Sequence, residues 1–361
     1  MLTYDDYLNQ IEEQLKVVAS PKDPDNLYLP IRYTLEGGGK RLRPVLTLAA
    51  CEALGGRWED AIKQAIGLEM FHNFTLLHDD VMDRADMRRG RATVHRRFSE
   101  SSAILSGDAM LTMAHRLIVA GAANAESLVP QLKLFDKTAM EIYEGQQYDL
   151  DFEHRRDVTV DEYMEMIRLK TSVLLGCACA MGAIIANADH KSVNAFYRYG
   201  EKLGLAFQLQ DDLLDTFGDP IVFGKEIGGD IVCDKKTWLL ITALAEDQTG
   251  ELRHELENPS SREEKISRVI KIYEKLDLPE RCRALVDCFV EQAISELNSI
   301  SMSHPARDFS LYLLNRHAEE LTDVFYNLRW NNRIALPVVT SATSFISVPS
   351  VSAIVCAING M

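Results

Sequence analysis

Several features that would place this chain outside the ordinary globular classes are missing. Its seven cysteines (Cys51, Cys177, Cys179, Cys233, Cys282, Cys288, Cys356) include no Cys-x-x-Cys pair, so neither a zinc site nor a disulfide framework is signalled and a reducing compartment fits. The segment MLTYDDYLNQIEEQLK has no basic stretch followed by an apolar one, which argues against a secretory signal and leads us to expect a cytoplasmic protein. Positive charge is also scarce. Against 39 Lys and Arg stand 54 Asp and Glu, a formal charge of −15. This disfavours nucleic acid as a partner, because phosphate-backbone affinity comes from clustered cations. No convincing run of alternating apolar and polar residues marks a strand.

Helical patterning is what the chain does have. At 47% hydrophobic and 26% charged residues it can bury a core, and apolar residues recur at three- and four-residue spacing from about residue 2 to about residue 329. Glycine, proline, asparagine and aspartate punctuate the pattern, as at Gly37-Gly38-Gly39, Gly55-Gly56 and Gly218-Asp219-Pro220. No composition shift divides it, so a single all-α domain is expected over 1–329. The stretch 330–361 differs. From Ile334 to Met361 it carries no charge, and Pro337 and Pro349 interrupt it. A disordered or loosely docked tail is expected there, without stable membrane insertion.

Two acidic motifs lie within apolar helical sequence. The first is Asp79-Asp80-Val81-Met82-Asp83 and the second Asp211-Asp212-Leu213-Leu214-Asp215. At 100° per residue, Asp79 and Asp83 are about 40° apart and share a face, as do Asp211 and Asp215. A solvated acidic face would explain one such motif, but carboxylates set among Phe71, Phe74, Leu76 and Leu77, or among Leu205, Phe207 and Leu209, need neutralisation. Mg²⁺ reaches protein through one or two carboxylates and completes its shell with water and phosphate oxygens, so the pair of motifs suggests a diphosphate bridged by several ions. His72 falls about 20° from Asp79 on the same wheel.

Basic segments supply the opposite charge. Gly37-Gly38-Gly39-Lys40-Arg41-Leu42-Arg43-Pro44 joins a glycine turn to three cations, and Arg84, Arg88, Arg89, Arg91, Arg96 and Arg97 follow the first acidic motif with only Asp86 among them. Guanidinium forks suit phosphate oxygens. The glycines do not form a Walker loop, since Thr34 and Arg41 stand where that pattern needs Gly and Ser or Thr.

The ordered set GGGKRLRP, His72, DDVMD with RRG after it, Gly107-Asp108, Gly145-Gln146 with Asp149, Lys170-Thr171, FQLQDDLLD, Gly224-Lys225 and Asp230-Ile231 with Lys235-Lys236-Thr237 resembles the trans-isoprenyl diphosphate synthase family, of the short-chain farnesyl or geranylgeranyl type. The resemblance implies an all-α, type I isoprenoid synthase fold whose helices surround a deep cavity, and a homodimer. It implies a prenyltransferase that condenses isopentenyl diphosphate head-to-tail with an allylic diphosphate, using Mg²⁺, about three ions per active site.

Carried over residue by residue, it makes Asp79, Asp83 and Asp211 direct metal ligands, with Asp80, Asp212 and Asp215 as weaker ligands or supports. Arg88, Lys170, Lys225 and Lys235 would hold the allylic diphosphate, and Lys40, Arg43, His72 and Arg89 the isopentenyl diphosphate. Thr171 and Gln208 would lie beside the allylic carbon, and a basic segment would close over the mouth. Product length would be stopped at C15 to C20 by a floor at Phe74 and Thr75, with Phe71 a competing floor because Phe74 lies about 140° from Asp79.

Two other classes share part of this pattern. A class I terpene cyclase needs no second diphosphate site, and a catalytically silent regulatory subunit needs no intact aspartates. Cys177 and Cys179 in their small-residue run, His78, His95 and Trp238 are expected to pack, with His95 hydrogen-bonded. Asp234 stands where the family commonly has Gly or Asn, which would lower the positive potential beside Lys235.

Overall fold

A computed structural model describes residues 1–20, 22–218, 228–258 and 261–302. The expected helix over 306–328, the tail at 330–361 and Lys225 lie outside the described residues.

The chain begins with α1 (Tyr4–Val18), started by a capping box in which Thr3 and Asp6 satisfy each other's backbone N–H. Its buried residues Tyr7, Ile11 and Leu15 fall four apart on one face. Next come α2 (Asp25–Leu35), α3 (Leu42–Ala53) and α4 (Trp58–Met82). From Ala65 to Phe71 α4 is buried on every side, as expected of a central helix. A two-residue hairpin, β1 (Met87–Arg88) with β2 (Arg91–Ala92), and the turn α5 (Val94–Arg97) carry the basic segment. The long helices α6 (Glu100–Gly121) and α7 (Ala125–Glu153) follow.

The apolar run after residue 160 is not one regular helix. It is α8 (Val160–Ile167), a π-helical turn (Arg168–Ser172) and α9 (Val173–Ile185). Residues Val173 to Ala183 are all buried, Cys177 and Cys179 completely, so both cysteines pack as expected. Then come α10 (His190–Phe217), α11 (Gly229–Val232), α12 (Trp238–Glu246), α13 (Glu251–Glu257), α14 (Arg262–Lys275) and α15 (Leu278–Asn298).

Two buried clusters hold these helices together. The larger joins α1, α3, α4, α6 and α9; the smaller gathers α8, the middle of α10 and the helices after it, with Trp238 inside it. The all-α expectation holds apart from the hairpin. That exception has a local cause: Arg89 and Gly90 both take positive φ (52° and 71°), the backbone of a two-residue type I′ turn. Neither propensity nor periodicity over two-residue strands could reveal it.

Candidate active site

A cavity of about 780 Å³ opens between the C-terminal ends of α4 and α10. Asp79 and Asp83 line it from the last turn of α4, and Asp211 and Asp212 from the last turns of α10. Helix carbonyls point outward at such ends, so both sites favour cations even before the carboxylates are counted.

The six aspartates divide into two roles. Asp79, Asp83 and Asp211 border the open volume, as does Asp212, whose carboxylate is nonetheless buried. Asp83 sits at the rim, yet surrounding protein and the Asp79 charge push its carboxyl up to about 6. Asp80 is only 5% exposed and accepts Arg88 Nε at 2.7 Å. Asp212, 2% exposed, accepts the Tyr163 hydroxyl and, at 3.0 Å, Gln208 Nε2; burial pushes it up to about 7. Asp215 accepts the Asp230 backbone N–H at 2.9 Å, and burial and Asp230 push it up to about 6. Asp80, Asp212 and Asp215 therefore hold neighbouring residues in place. Among the described residues no three His, Cys, Asp or Glu side chains come together as a cage for one ion. Hard oxygen donors in ones and twos, crowded enough to resist ionisation, fit Mg²⁺ that completes its shell with water and phosphate oxygens.

Two lysines stand among these carboxylates. Lys170 Nζ reaches Asp149 at 2.6 Å and Asp79 at 3.4 Å. Burial opposes its charge, but Asp79 and Asp149 outweigh that and raise its pKa. Lys235 Nζ lies 3.4 Å from Asp230; burial again opposes the charge, and Asp230, Asp212 and Asp149 hold it above the usual lysine range. Lys170 and Thr171 sit on the π-helical turn, which packs directly onto α7. A Cβ on Gly145 would stand 2.3 Å from the Lys170 backbone nitrogen, so a larger residue there would displace the turn. Thr171 Oγ1 donates to Gln208 Oε1 at 3.0 Å. Because the Asp212 carboxylate accepts from Gln208 Nε2, the Gln208 oxygen is turned towards Thr171.

Another part of the lining is cationic. Lys40, Arg43, His72 and Arg89 form it. Arg43 Nη1 lies 3.1 Å from His72 Nε2, and since guanidinium only donates, His72 Nε2 accepts and the ring is neutral. Desolvation, then Arg43 and Arg89, hold the imidazole pKa well below its ordinary value. Burial lowers Arg43 to about 10, against the pull of Glu69. The third cation of the glycine-led motif also borders the cavity, but its guanidinium is taken up by carboxylates. Arg41, at φ 48° and 3% exposed, turns inward to Glu69 at 2.9 Å and Glu12 at 2.8 Å.

Of the six arginines after the first acidic motif, the fold brings only Arg88 and Arg89 to the cavity. Arg91 and Arg97 stack over Tyr33 at 3.9 and 4.7 Å, and Arg96 pairs with Asp86 at 2.7 Å. The chain-length candidates also separate. Thr75 lines the cavity, whereas Phe74 and Phe71 do not. Phe74 packs on His78 and on Phe71, with ring centroids 4.8 and 5.4 Å away, and Phe71 lies deeper, against Phe135 at 5.1 Å.

His78 is structural as expected, with Nε2 3.1 Å from the Ile104 carbonyl. His95 departs from expectation, because neither ring nitrogen has a hydrogen-bond partner among the described residues. Asp234 takes φ 52°, a left-handed angle that suits Gly, Asn or Asp, and its carboxylate accepts Lys265 Nζ at 2.7 Å. Sequence reasoning missed Tyr163, Arg41 and Glu69 and gave Asp149 no role; their partners lie far along the chain.

The polyprenyl synthetase family profile matches residues 24–275. The geranylgeranyl pyrophosphate synthase of Geoglobus acetivorans is 37% identical over 310 residues, covering 85% of this chain and 96% of that protein. The geranylfarnesyl diphosphate synthase of Natronomonas pharaonis is 41% identical over 254 residues, covering 66% and 73%. A solved geranylgeranyl pyrophosphate synthase superposes with a TM-score of 0.83 at 44% identity, covering 87% of this chain and 99% of the other. With a cavity between paired acidic helix ends, this chain belongs to the polyprenyl synthetase family and is a prenyltransferase.

Proposed function

We propose that the protein condenses isopentenyl diphosphate with an allylic diphosphate to give an all-trans product of C15 to C20, with C20 favoured. One observation carries this reading: a single cavity presents two chemically different anion-binding walls, one built from Lys40, Arg43, His72 and Arg89, the other from aspartates interleaved with Lys170 and Lys235. A cyclase would have no use for the first wall, and a silent subunit none for the second.

On this reading Lys170, Lys235 and Arg88 contact the diphosphate of the allylic substrate, and Lys225 joins them by the family pattern. Mg²⁺ held by Asp79, Asp83 and Asp211, about three ions per site, supplies charge neutralisation on that diphosphate. The allylic C–O bond breaks with its electron pair going to the leaving oxygen, where Lys170 and Lys235 stabilise the new charge. The Thr171 and Gln208 oxygens face the allylic carbon without attacking it. The isopentenyl double bond, positioned by Lys40, Arg43 and Arg89, forms the new C–C bond, and a proton passes to the released diphosphate. Leu76, Ile142, Met166 and Leu174 line the cavity and keep water from the cation.

A homodimer fits the exposed apolar side chains Ile104, Leu105 and Val119 on α6 with Val129 and Met140 on α7; the measured mass in solution tests it. A cytoplasmic location fits the two helical stretches among the described residues that are long and apolar enough to cross a membrane, since the apolar part of Val160–Ile185 is mostly buried within the fold and Glu100–Gly121 is the proposed dimer surface.

Purified protein incubated with Mg²⁺, isopentenyl diphosphate and C5, C10 or C15 allylic diphosphate should yield linear diphosphates ending at C15 to C20. Cyclic hydrocarbons, or no product from any pair, would overturn the reading.

A further inference from the structure

The segment that carries Lys235 is held from behind by a helix outside the acidic and basic motifs. On its cavity side, α11 is tied to α10: Asp215 accepts the Asp230 N–H at 2.9 Å through its carboxylate and the Gly228 N–H at 2.7 Å through its carbonyl. On its far side, two successive residues of α14 meet its two ends. Ile266 packs where Gly228, at φ 76°, has no side chain; a Cβ there would stand 2.9 Å from Ile266 Cδ1. Lys265 donates to the Val232 carbonyl at 3.1 Å and to the Asp234 carboxylate at 2.7 Å.

The positive φ at Asp234 matters here. It reverses the chain, so that Asp234 turns towards α14 while Lys235, the next residue, lines the cavity. The Lys265 side chain is 7% exposed and that of Asp234 40%. A buried ammonium held by one carboxylate and one helix-end carbonyl is a fixed counter-charge, not a passing surface contact. Without it, an unmatched carboxylate would stand one residue from the lysine assigned to the allylic diphosphate.

We propose that Lys265 is a positioning residue for the diphosphate site: by neutralising Asp234 it keeps the Asp234 turn in place and, with it, Lys235 aimed into the cavity. The negative charge that Asp234 places beside Lys235 is thereby cancelled by a lysine on α14. This inference rests on the allylic-site reading above, and the test separates the two.

Inorganic diphosphate with MgCl₂ is titrated calorimetrically into the full chain, alongside steady-state kinetics with each substrate varied. Lys265→Met should weaken diphosphate binding and raise KM for the allylic substrate by about five-fold or more, leaving KM for isopentenyl diphosphate within about two-fold. Asp234→Asn alone should be close to the parent, and Asp234→Asn with Lys265→Met should restore both quantities to within about two-fold. A double variant as impaired as Lys265→Met, or a Lys265→Met chain that binds like the parent, overturns the proposal. Should Lys265→Met not fold, a folded double variant with parental binding supports it, and a double variant that also fails to fold overturns it. If the parent transfers no prenyl group, the functional reading falls, while the diphosphate titrations still decide the role of Lys265.

Discussion

The two sets of charged residues in the cavity, each proposed to hold a diphosphate, are built in opposite ways. The Arg43 wall is made of cations that repel one another and are partly relieved by Glu69; its histidine is neutral and its buried arginine is weakened as an acid-base group to about 10. Such a wall is prepared for a bare anion. The Asp79 wall alternates sign, with lysines held charged by carboxylates and carboxylates such as Asp83 pushed up to about 6 by burial and each other. That wall gains most from a cation brought in with the anion. On the proposed reading, the difference is why one substrate would be bound directly and not ionised, while the other would be bound where a developing negative charge is absorbed.

The strongest way to break the contrast is to remove a metal-facing carboxylate. Asp79→Ala or Asp211→Ala should lower turnover by about three orders of magnitude with unchanged helical circular dichroism and unchanged isopentenyl diphosphate binding. Loss of binding at both walls would merge the two sites into one.

Single cations come next. Arg43→Ala should raise KM for isopentenyl diphosphate by about 10- to 100-fold, the worth of a charge-assisted hydrogen bond, and move the allylic KM by less than about three-fold. Lys170→Ala should do the reverse and also reduce kcat. Equal effects on both substrates, in initial-rate measurements, would show that the division of cations is wrong.

Acidity sharpens the contrast. Asp83 and Asp215 at about 6 and Asp212 at about 7 are raised above the ordinary carboxylate value. In the metal-free protein their stabilising contribution is therefore fully present below about pH 4 and lost as pH rises through about 6 to 7. Mg²⁺ bound at Asp83 would take the place of its proton, so the melting-temperature increase caused by MgCl₂ alone should be larger at about pH 8 than at about pH 5.5. An equal increase at both, by differential scanning fluorimetry, would place the metal elsewhere. The neutral His72 ring gives the other wall no such transition.

The smallest effect concerns the apolar end of the cavity. Thr75→Phe should shorten the product towards C15, and Phe74→Ala should lengthen it, because Phe74 is packed beside the helix position that borders the cavity. Phe71→Ala, one ring deeper, should cost about 3 kcal/mol or more of stability and leave the product ladder unchanged. Lengthening by Phe71→Ala with no change in Phe74→Ala, read from product chromatography, would move the floor to Phe71.

Part of this site is legible in the order and spacing of its residues. Four-residue spacing alone puts Asp79 and Asp83, or Asp211 and Asp215, on one helix face, and the same wheel turns Asp80 about 100° away from Asp79, towards Arg88 as the structure shows. The surplus of arginine after the first motif is legible too, but not its division, since stacking on Tyr33 engages Arg91 and Arg97 from another helix.

The sequence by itself determined the all-α class, the order of the motifs and the pairing of Asp79 with Asp83 at the cavity, because these follow from 3.6-residue periodicity and need no partner. Only the tertiary structure decided which like residues do different work. Arg41 turns inward between Lys40 and Arg43 because of one left-handed backbone angle and two distant glutamates. Asp212 serves Tyr163 and Gln208, and Phe74 stands off the cavity that Thr75 lines. In each case the deciding contact joins elements far apart along the chain, and local spacing carries no information about it.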